Sequence, residues 1–298
     1  MNLPQYYRTF LQGFKRVTQG FVLFNLIYLF LLATELCLFF AFLPTLLKSA
    51  NFALALGTLF LTSFSYFVLF FYFQMKKPEQ LAQLREQFLS SCKQDVSLQD
   101  HLSLAEALSK LSSYLDGFEK NFYKASKPFS KALSTFSSYC YRADVWNIKL
   151  LLQQVAIDEH LKQVKLTPTS LEVHASLASA YVGLSKIYKE SLSQEKYRNA
   201  TKLAIEEFCI LSHYAPNDPW VHEQLATFYQ GLDMPQEEMR EVETLLKLKA
   251  QDKEVLYRLG LLYFKQGMNA KGLQVYEELK KAQFTKAEDL LEVYGVKK

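Results

Sequence analysis

Two long runs with almost no charge occupy the first quarter of the chain, and they constrain everything that follows. Phe21–Leu47 carries a single charge, Glu35, and Phe52–Met75 carries none. A helix of ~20 apolar residues crosses a bilayer, so each run is long enough. Lipid offers no hydrogen-bond partners, so a spanning backbone must satisfy itself, which predicts two helices. Only Lys48, Ser49, Ala50 and Asn51 separate them. So short a link forces an antiparallel transmembrane hairpin over residues 21–75, with the lipid bilayer as its partner. Pro44, which has no N–H to donate, ends or kinks the first helix near the turn. A cleaved signal peptide is disfavoured, because the first run is too long and no small-x-small pattern follows it. Glu35 and Leu36 stand before Cys37 where a lipoprotein site would need small residues.

The flanks of the hairpin set its orientation. Arg8, Lys15 and Arg16 precede it, Lys76 and Lys77 follow it, and the turn offers only Lys48. The excess of cations at the two ends predicts that both termini are cytoplasmic. Residues 1–20 form an amphipathic basic segment, with Tyr7, Phe10, Leu11, Phe14 and Val17 at helical spacing. Two readings fit that spacing: a helix lying on anionic lipid, or a plain extension of the first span. Glu35 sits near the middle of the first run, where a carboxylate is costly and often functional. Thr62, Ser63 and Ser65 on the second run are its expected hydrogen-bond partners. A proton path needs further ionisable groups, so a packing or assembly role is favoured over transport. Gly57, Thr58 and Ser63 permit close helix approach, which makes a homo-oligomer a further expectation.

The rest of the chain is of a different kind. Residues 1–75 hold four of the 34 basic and one of the 30 acidic residues. What remains is nearly neutral and mixed in sign, which argues against a nucleic-acid partner. Cys37, Cys92, Cys140 and Cys209 are scattered, with no paired spacing, so a reducing compartment is expected. From residue 76 onward the apolar residues recur at three and four, which reads as helix throughout. Pro78 fits a first helical position, followed by Leu81, Leu84 and Phe88. Leu104, Leu108, Leu111, Leu115 and Phe118 make a second amphipathic stretch. Lys127-Pro128 marks a boundary. Residues 129–165 read as one helix or two, with Asp144 as the cap at a join, and Thr167-Pro168-Thr169 ends them.

Beyond residue 170 the chain repeats itself. Leu256-x2-Leu259-Gly260-x2-Tyr263 is followed by Gly272-x3-Tyr276. His222-x2-Leu225-Ala226-x2-Tyr229 is followed by Glu238-x3-Val242. Leu225 and Leu259 are 34 residues apart, as are Tyr229 and Tyr263. These residues resemble the tetratricopeptide repeat (TPR), whose helix A carries a large residue, Leu-Gly/Ala and Tyr, and whose helix B carries a small residue and an aromatic. His174-x2-Leu177-Ala178-x2-Tyr181, Ala204-x3-Phe208 and Pro216 make a third unit that is 14 residues longer. Fourteen residues is about four helical turns, so both of its helices are predicted to be two turns longer, with the turn near Ser193-Gln194. Ala156-x3-His160 and Pro168 echo the end of a helix B, which makes part of 76–170 a degenerate repeat within a helical linker. The repeats are expected at 171–218, 219–252 and 253–284. A C-terminal capping helix over 285–298, with Thr285 as its cap and Leu290, Leu291 and Val293 inside, closes the stack.

The predicted fold class is therefore all-α: two transmembrane helices followed by an α-solenoid of TPR-like helical hairpins. The resemblance implies a scaffold that binds a protein or peptide partner in the concave groove, along the free face of each helix A. On this chain that face holds Trp220, Glu223, Thr227, Gln230, Tyr257, Arg258, Leu261, Phe264 and Lys265, with Ser179 upstream. Some family members clamp a terminal carboxylate with Lys, Asn and Arg. The matching positions here include Glu172, Ala175, Ser179, Glu223, Thr227 and Arg258, so that clamp is not reproduced. The middle unit departs from the pattern, with Glu238 at the small position.

No catalytic centre is expected. His174 and His222 share a packing slot with Leu256 and read as partly buried core histidines rather than metal ligands. Cys209 and His213 lack a second pair for zinc. Phosphate-binding glycine loops are absent, and no cofactor is implied. The alternatives are a secreted bilobed-hairpin inclusion-membrane-type protein of an intracellular bacterium, resting on the hairpin, and an accessory subunit of a membrane transport complex, resting on Glu35.

Overall fold

The computed structural model describes residues 3–46, 51–94, 100–123, 130–191 and 193–295. All regular elements among them are helical. The chain divides into two compact units, Met1–Ala156 and Ile157–Lys298. The expected turn at Lys48–Ala50 and the boundary at Lys127-Pro128 lie outside the described residues.

The first unit is built on two very long helices, α1 (Leu3–Ala41, 39 residues) and α3 (Asn51–Lys93, 43 residues). A short α2 (Leu43–Leu46) follows α1 and contains Pro44, so the first helix ends before that proline. At 1.5 Å per residue α1 and α3 are roughly 60 Å long, twice the ~30 Å of a hydrocarbon core. Each therefore has an apolar half and a second half of ordinary amphipathic character. Pro78 lies inside α3 rather than at a helix start. The proline gives up one hydrogen bond to the carbonyl four residues back, and the helix runs through it. Gly13 lets α1 and α3 approach, since a Cβ there would meet Leu84 Cδ1 at 2.6 Å.

Of the two readings of the N-terminal segment, the plain extension holds from Leu3 onward. That segment is the first half of α1, and its apolar stripe is the centre of a core. Phe10 and Phe14 are completely enclosed together with Phe88 and Cys92 of α3. Leu104, Leu108 and Leu111 of α4 (His101–Tyr114) and Tyr141, Ile148 and Leu152 of α5 (Ser130–Leu166) complete that core. Thus α4 and the first part of α5 wrap the bases of α1 and α3, and they do not pair off as the expected degenerate repeat. Asp100 caps α4, accepting from the Ser103 N–H at 3.0 Å. Helix α5 is a single helix and Asp144 lies inside it, so no join exists for that residue to cap. One carboxylate oxygen of Asp144 pairs instead with Lys77 at 2.5 Å. Burial raises the Asp144 pKa above the usual carboxylate value, against the pull of Lys77.

The second unit is a series of helix pairs: α6 (Leu171–Glu190) with α7 (Gln194–Tyr214), α8 (Pro219–Gly231) with α9 (Pro235–Leu248), and α10 (Lys253–Lys265) with α11 (Asn269–Lys281). Each pair packs on the next through α7 against α8 and α9 against α10. The helices of the first pair have 20 and 21 residues, against 13 and 14 in the second. Each is thus about two turns longer, as the phase of the sequence predicts.

Equivalent residues repeat their roles 34 positions apart. Asp218 and Asp252 are the N-caps of α8 and α10, accepting from Trp220 N–H at 2.9 Å and Glu254 N–H at 3.0 Å. Asp233 and Gly267 both take left-handed φ, at 57° and 71°. Each is followed by the same helix-ending bond, Met234 N–H to Tyr229 O at 2.9 Å and Met268 N–H to Tyr263 O at 2.8 Å, the Schellman arrangement.

A short α12 (Asp289–Val293) follows α11. It starts at Asp289 after a run of turns, so Thr285 does not cap it. Its Leu290 presses on Gly260, where a Cβ would meet Leu290 Cδ1 at 3.1 Å and Val275 Cγ1 at 2.9 Å. Gly272 on α11 lies under the Phe264 ring, 2.6 Å from where its Cβ would be. Gly272→Ala is therefore expected to cost about 1–3 kcal/mol by overpacking, read as a lower melting temperature with helix content unchanged.

Candidate functional site

The candidate partner-binding surface is the free face of α8 and α10, and its usable extent follows from what holds those helices in place. Two histidines repeat one device. His174 on α6 places Nδ1 2.6 Å from Glu207 Oε2 on α7 and Nε2 3.0 Å from the Pro168 carbonyl. His222 on α8 places Nδ1 2.7 Å from Glu241 Oε2 on α9 and Nε2 2.9 Å from the Pro216 carbonyl. In each ring both nitrogens are engaged, one by a carboxylate and one by a backbone carbonyl. The histidines thus tie helix A to helix B and to the preceding proline turn. The sequence signal was the recurrence of Pro-x5-His in Pro168/His174 and Pro216/His222. The acidic partners Glu207 and Glu241 gave no such signal, since they lie 33 and 19 residues downstream.

For His174, burial pulls the imidazole pKa down, but the Glu207 carboxylate and the Pro168 carbonyl outweigh it and leave it above 6.5. A raised histidine pKa adds stability that is complete below the unfolded value of about 6.5 and is lost as pH rises through the folded value. The wild-type melting temperature should therefore fall as pH rises above about 6.5, and a His174→Gln variant should show a flatter profile. Parallel profiles would mean that the pair contributes nothing to stability.

The joints between successive pairs use the expected groove residues themselves. Arg258 on α10 donates from Nε to Glu238 Oε1 at 2.9 Å and from Nη2 to the Ala226 carbonyl at 2.9 Å. Glu238 is 4% exposed, so the carboxylate at the family's small position survives burial because Arg258 neutralises it. Tyr263 donates to Glu243 at 2.9 Å, and burial together with that carboxylate pushes its pKa up to about 12.

Four of the predicted groove residues are therefore committed to the fold. Arg258 braces α8, α9 and α10. Phe264 is buried, over Gly272 and against Tyr294 at 5.2 Å between ring centroids. Tyr257 is half-buried against Phe284, 5.8 Å between centroids. Leu261 is half-buried against the same core. The segment after α11 covers what the sequence pattern presents as a free face.

The other five are exposed. Trp220, Glu223, Thr227 and Gln230 are spaced by three, four and three residues, which sets them in one stripe along α8. Lys265 is exposed near the end of α10. Trp220 is 44% exposed, with the rest of its indole set edge-on to Phe208 at 5.3 Å. Glu223 faces Lys249 at 3.6 Å, and Thr227 donates to the Glu223 carbonyl at 2.8 Å. Such a stripe offers one aromatic surface, one amide and fixed charges, the means of recognising an extended peptide or a helix face. Ser179 of α6 is exposed as well.

In the apolar halves of α1 and α3 the only carboxylate, Glu35, accepts from Thr62 Oγ1 at 3.0 Å. Tyr66 donates to Asn25 Oδ1 at 2.9 Å. Ser63 bonds instead to the Leu59 carbonyl of its own helix at 2.8 Å. The Glu35–Thr62 bond ties α1 to α3.

No protein-family profile matches the chain, and no curated protein matches it. Among solved structures, it is similar to the crystal structure of a thermophilic TPR protein in Thermus thermophilus. The two are 19% identical, the match covers 75% of this chain and 92% of that one, and the TM-score is 0.34. At that score the architecture rests on this chain's own helices and their repeated caps.

Proposed function

We propose that this protein is a membrane-anchored scaffold, held by the α1–α3 hairpin, that binds a protein or peptide along the α8 stripe. The observation that carries the anchor is the bareness of the hairpin. The most apolar stretch of α1 is 6% buried and that of α3 is 0% buried. Phe30, Leu54 and Phe60 are each more than 70% exposed. A soluble protein does not leave so large an apolar belt to water, and lipid is the solvent that suits it. The cations flanking the hairpin support a cytoplasmic position for both termini. On this reading the chain recruits rather than catalyses. The Glu35–Thr62 bond supports a packing role for that carboxylate over a share in transport.

Two measurements test the proposal. Full-length protein should stay with the membrane pellet through alkaline carbonate extraction; release into the supernatant would remove the anchor. Affinity capture from detergent-solubilised membranes should then lose a discrete partner when Trp220, Gln230 and Lys265 are all replaced by alanine. The melting temperature must be unchanged for that comparison. An identical partner set would clear the α8 stripe of any role.

A further inference from the structure

Cross-contacts in the first unit fix the level of α5 against the hairpin. Low on α1, the Tyr7 hydroxyl donates to the Ala107 carbonyl at 2.8 Å. Close to Ala107, Ser109 lies 3.5 Å from Gln153 of α5. Higher on α1, Gln19 donates to the Phe122 carbonyl at 3.4 Å, and Phe122 stacks on Tyr141 at 3.9 Å. Climbing α1 from Tyr7 to Gln19 therefore means descending α5 from Gln153 to Tyr141. The two helices run in opposite senses, and the N-terminal end of α5 points toward the apolar run. The Lys77–Asp144 pair sets the height, because the same Lys77 ammonium lies 4.6 Å from the centre of the Phe21 ring. Through the long Lys77 side chain, Asp144 is held just short of the start of the apolar run in α1 and the end of that in α3.

What precedes Asp144 continues past that level. Tyr139 and Phe136 lie about 8 and 12 Å further along the helix. Tyr139 stands on the opposite side of α5 from the core residue Tyr141, flanked one turn away by Arg142 and by Phe136, whose inner edge leans on Tyr123 at 6.3 Å between centroids. Tyr139 is 89% exposed and Phe136 is 37% exposed, and Arg142 and Lys131 are exposed too. Tyrosine, phenylalanine and cations on one surface, at the height where an apolar run begins, is the composition of a membrane–water interface. Cations there reach phosphates while their stems stay among the lipids.

We propose that the first four turns of α5 lie in the headgroup layer of the bilayer that holds the hairpin, with Phe136, Tyr139 and Arg142 contacting anionic phospholipid. The proposal rests on the reading that α1 and α3 span that bilayer. On this arrangement the chain has a third membrane contact, and the Lys77–Asp144 pair holds it at the surface.

The test uses full-length chain in nanodiscs of phosphatidylcholine and phosphatidylglycerol, in a Trp146→Phe, Trp220→Phe background. Three single-tryptophan probes are compared. Tyr139→Trp reports the proposed contact, and at 89% exposure the substitution disturbs no packing. Tyr114→Trp is the water control, 56% exposed and beside Tyr7 at the far end of the unit. Phe60→Trp reports the hairpin. Headgroup nitroxide lipids should quench the probe at 139 several-fold more than the probe at 114, and acyl-brominated lipids should quench the probe at 60. Equal quenching at 139 and 114, with the probe at 60 quenched, overturns the headgroup contact and leaves the hairpin standing. No quenching at 60 overturns both.

Discussion

Arg258→Ala should lower the melting temperature of the full-length chain in detergent by roughly 10 °C. Removing the guanidinium leaves Glu238, 4% exposed, without its counter-ion and frees the Ala226 carbonyl. Stranding one partner of a buried pair costs about 3–5 kcal/mol. In a unit of this size each kcal/mol shifts melting by about 3 °C. The cause is open to a direct check. A double variant, Arg258→Met with Glu238→Met, removes both charges and should recover most of the loss. Recovery separates a stranded carboxylate from simple loss of packing, which the double variant would deepen. A groove residue engaged only by a partner would show neither effect, so this experiment decides between the two roles the position can have.

Phe14→Ala should destabilise the first unit by about 3–5 kcal/mol, the usual cost of emptying a fully enclosed phenylalanine site. Its ring lies among Phe118 and Phe122 at 6.3 Å from each, and nothing of it is exposed. Gln12→Ala, on the exposed side of the same helix, should stay within about 0.5 kcal/mol. The readout is amide hydrogen exchange in α4, which has no span of its own and packs on α1 only through this core. If residues 1–20 lay on lipid, Phe14→Ala would weaken bilayer contact and leave α4 protection intact. Faster exchange in α4, with exchange in the apolar halves of α1 and α3 unchanged, is the expected result.

Much of this fold was legible in the sequence because its periods are strict. The two nearly uncharged runs are long enough that only helices fit them, and both are helices. The 34-residue interval set α8–α9 and α10–α11 apart as successive pairs, and the structure repeats Asp218 and Asp252 at the starts and Asp233 and Gly267 at the ends of α8 and α10 with the same interval. The longer α6 and α7 followed from phase alone, because only an even addition of turns keeps both apolar faces toward their neighbours. Misreadings arose where one residue had two physical uses. Pro78 suits a first helical turn, yet a long helix flanked by packing tolerates it inside. Asp144 suits a cap, yet Lys77 gives it a partner within a helix. The stripe Tyr7, Phe10, Phe14 fits a lipid surface and a protein core equally, because apolar spacing records that a face is covered and not by what.

Residue order alone is enough to establish that the chain is helical, that its second part repeats at 34 residues, and that two helices are apolar enough to cross a bilayer. Those properties depend on backbone caps, periodicity and residue type, which act over a few neighbouring positions. Which side chains remain free is a matter of packing. Arg258, Phe264, Tyr257 and Leu261 lie on the expected groove face but are taken up by Glu238, Gly272, Phe284 and the adjoining core, leaving the α8 stripe and Lys265. The partners that consume them are 8 to 32 residues away in the chain, and long-range packing of that kind is set by how helices stack, which no local pattern records.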